Sequence, residues 1–256
     1  MSFTRTALRG LSAALLACCL SATAQIPLPR AFAVVSEVAR QVSVVSFQEA
    51  TGSRLNNNIR QRIDVPDGAL DKVFLLSAQK ALKQGTAAGD IWLLAPADSD
   101  FFGFVQVNPG DSLKIPDDLL AALRERKSTH LLLFTRHRAE ADLRFLDGSE
   151  GTGILEGLGY YVDHHMRVRN VASGRIEKGY LASFTHFRAT LVDVATQKVV
   201  GSSASTANRI TSVASLESGS SHPWATLTPA QKMAQLRDLI EREVGRMVPE
   251  LIGTKP

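Results

Sequence analysis

The chain has 256 residues, with 29 lysines and arginines against 25 aspartates and glutamates, which gives a formal net charge of +4 at pH 7. Arg5 and Arg9 lie in an N-terminal segment that we expect to be removed, and subtracting these two from +4 leaves about +2. This charge excludes the strongly basic surface of most nucleic-acid-binding proteins. The two cysteines, Cys18 and Cys19, lie in the same segment, so a mature chain without it has no disulfide, thiolate metal site or cysteine nucleophile.

The first 24 residues have the three parts of a secretory signal peptide. Arg5 and Arg9 form a basic region, Leu11–Leu20 is apolar, and Ala22-Thr23-Ala24 is a small-residue cleavage site before Gln25. An apolar run of about a dozen residues is too short for a membrane-spanning helix, which needs about 20. The sequence therefore predicts a protein that is exported to the periplasm or secreted.

A second processing route stays open at Cys18. The residues Leu15-Leu16-Ala17-Cys18 resemble the bacterial lipobox, in which the cysteine is lipidated and becomes the new N-terminus. Under that alternative the mature protein is a membrane-anchored lipoprotein. No later stretch approaches 18 uninterrupted apolar residues, so we expect no transmembrane segment in the mature chain.

The first half of the mature chain predicts alternating strands and helices. Valines between Ala31 and Phe47 favour one or two strands, and residues 60–65 favour a short third strand before Pro66. Helical spacing follows Asp67, a candidate cap, up to Gly85. The short apolar run 91–95 predicts a buried strand. Pro116 and two aspartates then begin a second helix that contains Leu119, Leu120 and Leu123.

The second half predicts antiparallel strands and a closing helix. Residues 129–145 alternate as one long, bent strand, and a glycine-rich connection near 147–159 leads to a strand from Tyr160 to about Arg169. Residues 180–193 and 198–205 predict a hairpin. Thr228, Pro229 and Gln231 form a capping-box start for the last helix. We therefore expect a single α/β (α+β) domain over residues 25–256, with one mixed, largely antiparallel sheet packed by about three helices.

The predicted hairpin, in the run Ala189–Ser202, resembles the closing hairpin of a group of bacterial envelope domains. The group includes the curli secretion lipoprotein, the outer-membrane activators of peptidoglycan synthases and the N-terminal domain of the translocation protein TolB. In these domains a strand ending in Leu-Val-Asp turns through a threonine, as at Thr196, although Gln197 replaces the usual turn glycine. The resemblance implies the fold of an envelope domain and assigns no functional residue.

Candidate chemistry centres on the histidines. Asp163 and His165 share a strand face, and His186 or His137 joins them only if the strand register brings these residues together. That set supports one alternative, a metal-dependent hydrolase. The glycine-rich segment supports a small-ligand-binding protein as another, because Gly151-Thr152-Gly153 approaches a dinucleotide fingerprint but no helix is predicted to follow.

No assembled catalytic set, cofactor motif or firm metal site emerges from the sequence. If neighbouring strands pair, we expect a basic stripe that could face anionic lipid headgroups or an acidic partner. Its members are Arg136, Arg138, Arg144, Arg167 and Arg169. The leading hypothesis is therefore an exported, non-catalytic periplasmic protein that binds a protein or envelope partner. We expect no cofactor and no nucleic-acid partner.

Overall fold

A computed structural model describes residues 30–49, 57–85, 88–94, 102, 107–169, 174–213 and 222–253. The predicted signal peptide with Cys18, the polar loop at 50–56 and most of the connection at 95–106 lie outside the described residues. The predictions about processing therefore stay predictions.

Eleven strands and three helices are formed by the described chain. The strands are β1 Arg30–Ser36, β2 Gln41–Ser46, β3 Ile59–Asp64, β4 Ala88–Leu94, β5 His130–Arg136, β6 Arg138–Glu140, β7 Leu143–Arg144, β8 Ser149–Glu150, β9 Ile154–Arg169, β10 Ile176–Asp193 and β11 Lys198–Ser212. The helices are α1 Ala69–Gly85, α2 Asp117–Glu125 and α3 Pro229–Leu251.

The sheet is organised around the 18-residue strand β10. One edge of β10 pairs antiparallel with β11, while the other edge pairs with β9 and then with β5. Beyond β5 the sheet continues to β1 and β4, and beyond β9 it continues to β2 and β3. The pairs β1–β4, β1–β5 and β2–β9 are parallel and the others are antiparallel. The predicted fold class, a mixed and largely antiparallel sheet with three helices, is confirmed.

Helices α1 and α3 cover one face of the sheet. Their apolar stripes, with Phe74 and Leu82 on α1 and Ile240 and Val244 on α3, pack against buried side chains of β1, β5, β9 and β10. The predicted capping box at α3 is confirmed, because the Thr228 hydroxyl accepts from Gln231 N–H and the Gln231 side chain accepts from Thr228 N–H. This face holds the largest apolar cluster among the described residues.

The opposite face is covered in two separate parts. Helix α2 packs Leu120 and Leu123 over β1, β5 and the end of β10. The two-stranded ribbon β7–β8 and the adjacent β6 cover the other part, where Leu143 joins a cluster that includes Tyr161, Tyr180 and Phe184. The two covers are separate, so a gap remains between them on this face of the sheet. A cleft lies beside the β7–β8 ribbon.

The prediction of one long strand over residues 129–145 is wrong. The segment forms β5, β6 and β7, because the chain leaves its partner β10 after Arg136 and β6 pairs with β9 instead. The alternation also predicted one polar face for β5. Both faces of β5 are buried instead, because α1 covers one and α2 covers the other. The predicted buried strand near residues 91–95 forms as β4, but it is only half-buried and pairs only with β1 among the described strands.

The prediction of a glycine-rich connection over 147–159 is wrong in its second half. β9 begins at Ile154 and includes Gly157 and Gly159. Gly159 is required there because a Cβ would lie 2.0 Å from the Ser43 carbonyl oxygen on β2 and 2.8 Å from Phe184 Cζ. Gly159 thus permits close strand packing, while Gly157 has φ 66 within the strand.

The predicted helix cap at Asp67 is also wrong. Asp67 has φ 55 inside a short 3-10 turn, and α1 begins only at Ala69. Asp71 has the structural role instead. Its Oδ1 accepts from the Ser36 hydroxyl at 2.5 Å and from the backbone N–H groups of Val38 and Ala39 at 3.2 Å each, so it holds the β1–β2 turn against α1.

We expect Asp71→Ala to lower the free energy of unfolding by about 2–3 kcal/mol, because three partly buried donors lose their acceptor. Lys72→Ala, at the next and exposed position, is the control and should change it by less than about 0.5 kcal/mol. Urea denaturation followed by circular dichroism measures both. Equal midpoints for the two variants would contradict the role of Asp71.

Candidate functional site

The structure separates the predicted histidine and aspartate set. His186 lies opposite Gly157 on β9, eight residues from His165, which corresponds to about 26 Å along the strand. The exposed His165 pairs instead with Glu49, with Nδ1 to Oε1 at 3.2 Å. Asp163 is buried and accepts the backbone N–H groups of His165 at 2.6 Å and Met166 at 2.9 Å. Asp163, His165 and His186 therefore do not converge.

His137 and His186 are brought together, as the sequence allowed. The backbone N–H of His137 donates to the backbone carbonyl oxygen of His186 at 3.0 Å. Burial lowers the pKa of both imidazoles. The pKa of His186 falls to about 4, with the nearby His137 as a second cause. Across the described ranges, no group of three or more His, Cys, Asp or Glu side chains is placed to hold one metal ion.

The histidine pair belongs to a polar strip between the two parts that cover the sheet face. Thr135 on β5 lies opposite Arg188 on β10, and Thr190 and His186 follow on the same face. The Thr135 and Thr190 hydroxyls and His186 Nδ1 are buried without a hydrogen-bond partner in the described structure. Arg188 Nη1 donates to the Ser202 hydroxyl at 3.0 Å. Burial within the strip disfavours the charged form of both imidazoles.

A concave feature of the described surface lies at the end of the sheet formed by the last residues of β9 and β11. It is a cleft of about 920 Å³, which we call the arginine cleft. The ribbon β7–β8 forms one wall, the end of β9 another, and β11 with α3 the rest. Its lining residues are Arg144, Phe145, Leu146, Asp147, Gly148, Glu150, Met166, Arg167, Val168, Arg169, Arg209, Ile210, Thr211, Ser212 and Gln235.

Positive charge dominates the arginine cleft, because its lining has four arginines and only two acidic residues, Asp147 and Glu150. Arg209 pairs with Asp238 on α3, with Nη1 to Oδ2 at 3.4 Å. Within the part of the chain that the structure describes, the guanidinium groups of Arg144, Arg167 and Arg169 have no ion-pair partner. Their charge is thus available to a ligand.

Apolar side chains lie beside these charges. Phe145, Met166, Val168 and Ile210 are half-buried and pack against the tyrosine-rich cluster beneath the cleft, where Phe145 meets Tyr180 edge to face at 5.0 Å. Leu146, at the tip of the ribbon, is 84% exposed, the highest value among the large apolar side chains that the structure describes. A cleft with an apolar lining and a few charged groups is typical of ligand-binding sites.

The strand pairing on which the expected basic stripe depended does not form at Arg144, because β7 pairs with β8 and not with β9, yet three of the five arginines meet in the cleft. Arg144, Arg167 and Arg169 line the cleft, while Arg136 and Arg138 lie near the start of β9, where Arg136 faces Glu156 at 3.9 Å. Gly148 and Glu150 place the cleft beside the glycine-rich segment. Arg209, Ile210 and Gln235 were missed, because only the pairing of β11 with β10 and the return of α3 bring them there.

The chain matches no family model and no curated protein. Its similarities are to solved structures. A Xanthomonas campestris protein of the DUF330 family has 12% identity over 86% of this chain and 82% of its own, with a TM-score of 0.39. A putative neuraminyllactose-binding hemagglutinin homolog from Helicobacter pylori has 9% identity over 88% of this chain and 87% of its own, with a TM-score of 0.42.

A third similar structure is the PelC dodecamer from Paraburkholderia phytofirmans, with 12% identity over 88% of each chain and a TM-score of 0.34. TM-scores below 0.5 carry no argument about this chain's activity or assembly. None of the three is an envelope domain of the kind that the hairpin resembles, so that resemblance stays a prediction. Separately, none of the helices in the described ranges combines the length and apolar composition that a membrane span requires.

Proposed function

We propose that the chain is an exported, non-catalytic protein of the bacterial envelope that binds a partner in the arginine cleft. The observation that carries the proposal is the cleft itself, in which three arginines without an ion-pair partner among the described residues lie beside half-buried and exposed apolar side chains. The N-terminal pattern with Ala22-Thr23-Ala24 before Gln25 supports export, and the separation of Asp163 from His186 favours binding over hydrolysis.

Export is tested by expressing the full chain in a Gram-negative host, releasing the periplasm by osmotic shock and measuring the intact mass. We expect a soluble chain that begins at Gln25. A lipid-modified chain that begins at Cys18 and is found in the membrane fraction would contradict cleavage before Gln25 and support the lipoprotein alternative. A cytoplasmic chain that keeps Met1 would contradict export by either route.

Binding in the cleft is tested by capturing partners from an envelope extract with the tagged mature protein. The cleft variant carries Arg167→Gln and Arg169→Gln, and its control carries Arg62→Gln and Lys72→Gln, which remove the same charge from exposed positions elsewhere. We expect the wild type and the control to recover the same stoichiometric component and the cleft variant to recover at least fivefold less. Equal recovery by both variants, or no specific recovery at all, would contradict the proposal.

The metal-dependent hydrolase is the rival function. It would use Asp163 and His165, with His186 joining them only if the strand register allowed, whereas the register of β9 and β10 places His186 opposite Gly157, eight residues from His165. Elemental analysis of the purified mature protein tests it. A stoichiometric transition metal that is lost in His186→Gln would favour the rival over the binding function.

A further inference from the structure

We infer that the ligand of the arginine cleft is an anionic amphiphile, an acidic lipid with a phosphate or carboxylate headgroup and an acyl chain. The inference rests on the proposed function and names the chemistry of the same site. It is argued from the charge of the lining, from its apolar surface and from the exposed ribbon tip.

The charge of the lining selects an anionic headgroup. Arg144, Arg167 and Arg169 have no carboxylate partner among the described residues, and Arg209 has only the exposed Asp238. A guanidinium binds phosphate or carboxylate through paired, charge-assisted hydrogen bonds, so several of them around one cleft favour such a group. Asp147 and Glu150 disfavour a highly charged polyanion, because part of the lining would repel it.

The apolar surface selects an acyl chain. On an extended strand, Met166 and Val168 face away from Arg167 and Arg169, yet all four line the cleft, which therefore wraps around the end of β9. Ile210 on β11 and Phe145 on the ribbon extend the apolar part. Each methylene of an acyl chain that enters it leaves water for an apolar surface, a gain that a simple anion lacks.

The ribbon tip explains how such a ligand enters. Leu146 is 84% exposed at the mouth of the cleft, and its chain neighbours are Phe145 and Asp147. An apolar tip beside a cleft lined by four arginines suits contact with a surface of anionic lipid. An acidic peptide would match the charge but would leave this tip without a partner.

The test is isothermal titration of the mature protein with dihexanoyl phosphatidic acid below its micelle concentration. Dihexanoyl phosphatidylcholine provides the same chains without net charge, glycerol phosphate provides the headgroup without chains, and a glutamate-rich peptide represents the acidic protein partner. We expect phosphatidic acid to bind at least tenfold more tightly than the other three, and its affinity to fall as salt is raised.

Two pairs of variants connect binding to the cleft. Arg167→Gln with Arg169→Gln should weaken the binding of phosphatidic acid about tenfold, while Arg62→Gln with Lys72→Gln leaves it unchanged. Leu146→Ser should weaken it about threefold, while Leu76→Ser, at a 59% exposed leucine on α1, leaves it unchanged. The folded state of each variant is checked by circular dichroism, and all the substituted positions are exposed.

The outcomes separate this inference from the proposed function. Glycerol phosphate or the acidic peptide binding as tightly as phosphatidic acid would overturn the amphiphile, and equal binding of phosphatidylcholine would overturn the anionic headgroup. No lipid binding, together with arginine-dependent capture from envelope extract, would overturn the ligand class and leave the proposed function standing. Failure of both experiments would overturn both.

Discussion

Gly159→Ala is expected to lower the free energy of unfolding by more than about 4 kcal/mol, enough to leave much of the protein unfolded. The added Cβ would lie 2.0 Å from the carbonyl oxygen of Ser43, which is the register partner of Gly159 on β2. A backbone atom cannot move aside as a flexible side chain does, so relief requires β2 to separate from β9. Phe184 Cζ, 2.8 Å away, closes the other side.

Gly245→Ala is the matched control for this substitution. Gly245 lies within α3, and an added Cβ meets no atom within 4 Å there. Alanine has a higher helix propensity than glycine, so the free energy of unfolding of this variant should rise by up to about 1 kcal/mol. Urea denaturation of both variants gives the comparison. A midpoint for Gly159→Ala within about 0.5 M of the wild type would contradict the close approach of β2 and β9.

The second large effect is a loss of stability in acid that depends on His186. Burial first, and His137 second, lower the pKa of His186 from 6.5 to about 4 in the folded protein. The unfolded chain therefore binds the proton first as the pH falls. The folded state keeps its full stability above pH 6.5 and loses it progressively between pH 6.5 and 4, by about 3 kcal/mol from this group alone.

His186→Leu tests this loss because it removes the imidazole and keeps a buried apolar volume. Between pH 7 and 5 we expect the wild type to lose about 2 kcal/mol more than the variant, measured by urea denaturation at each pH. His165→Gln is the control at an exposed histidine and should retain the acid sensitivity of the wild type. An equal loss in the wild type and His186→Leu would contradict a buried, neutral His186.

The elements with strong local signals could be predicted from the sequence. The capping box at Thr228, the β10–β11 hairpin and helix α2 depend on residues close together in the chain, and each forms as expected, although the hairpin strands are longer than predicted. The breaks within residues 129–145 and the strand character of Gly157 and Gly159 were missed. Both depend on partners far away in the chain, namely β10 and β2, which local patterns do not identify.

The site was predictable only in part for the same reason. Alternation correctly placed Arg167 and Arg169 on one strand face, because strand periodicity is local, whereas Arg144 enters the cleft from the β7–β8 ribbon and not from a paired strand. The convergence of His165 with His186 depended on the register of β9 and β10, which sequence spacing does not fix. Arg209 and Gln235 enter the cleft from β11 and α3, elements that no local pattern connects to the ribbon.

The arginine cleft as the binding site is tested most directly by photo-cross-linking in living cells. A photoreactive amino acid replaces Leu146 at the mouth of the cleft or, as the control, the exposed Leu76 on α1. We expect irradiation to give a discrete adduct at position 146, absent at position 76 and lost when Arg167→Gln and Arg169→Gln are added. No adduct at position 146, or the same adducts at both positions, would contradict binding in this cleft.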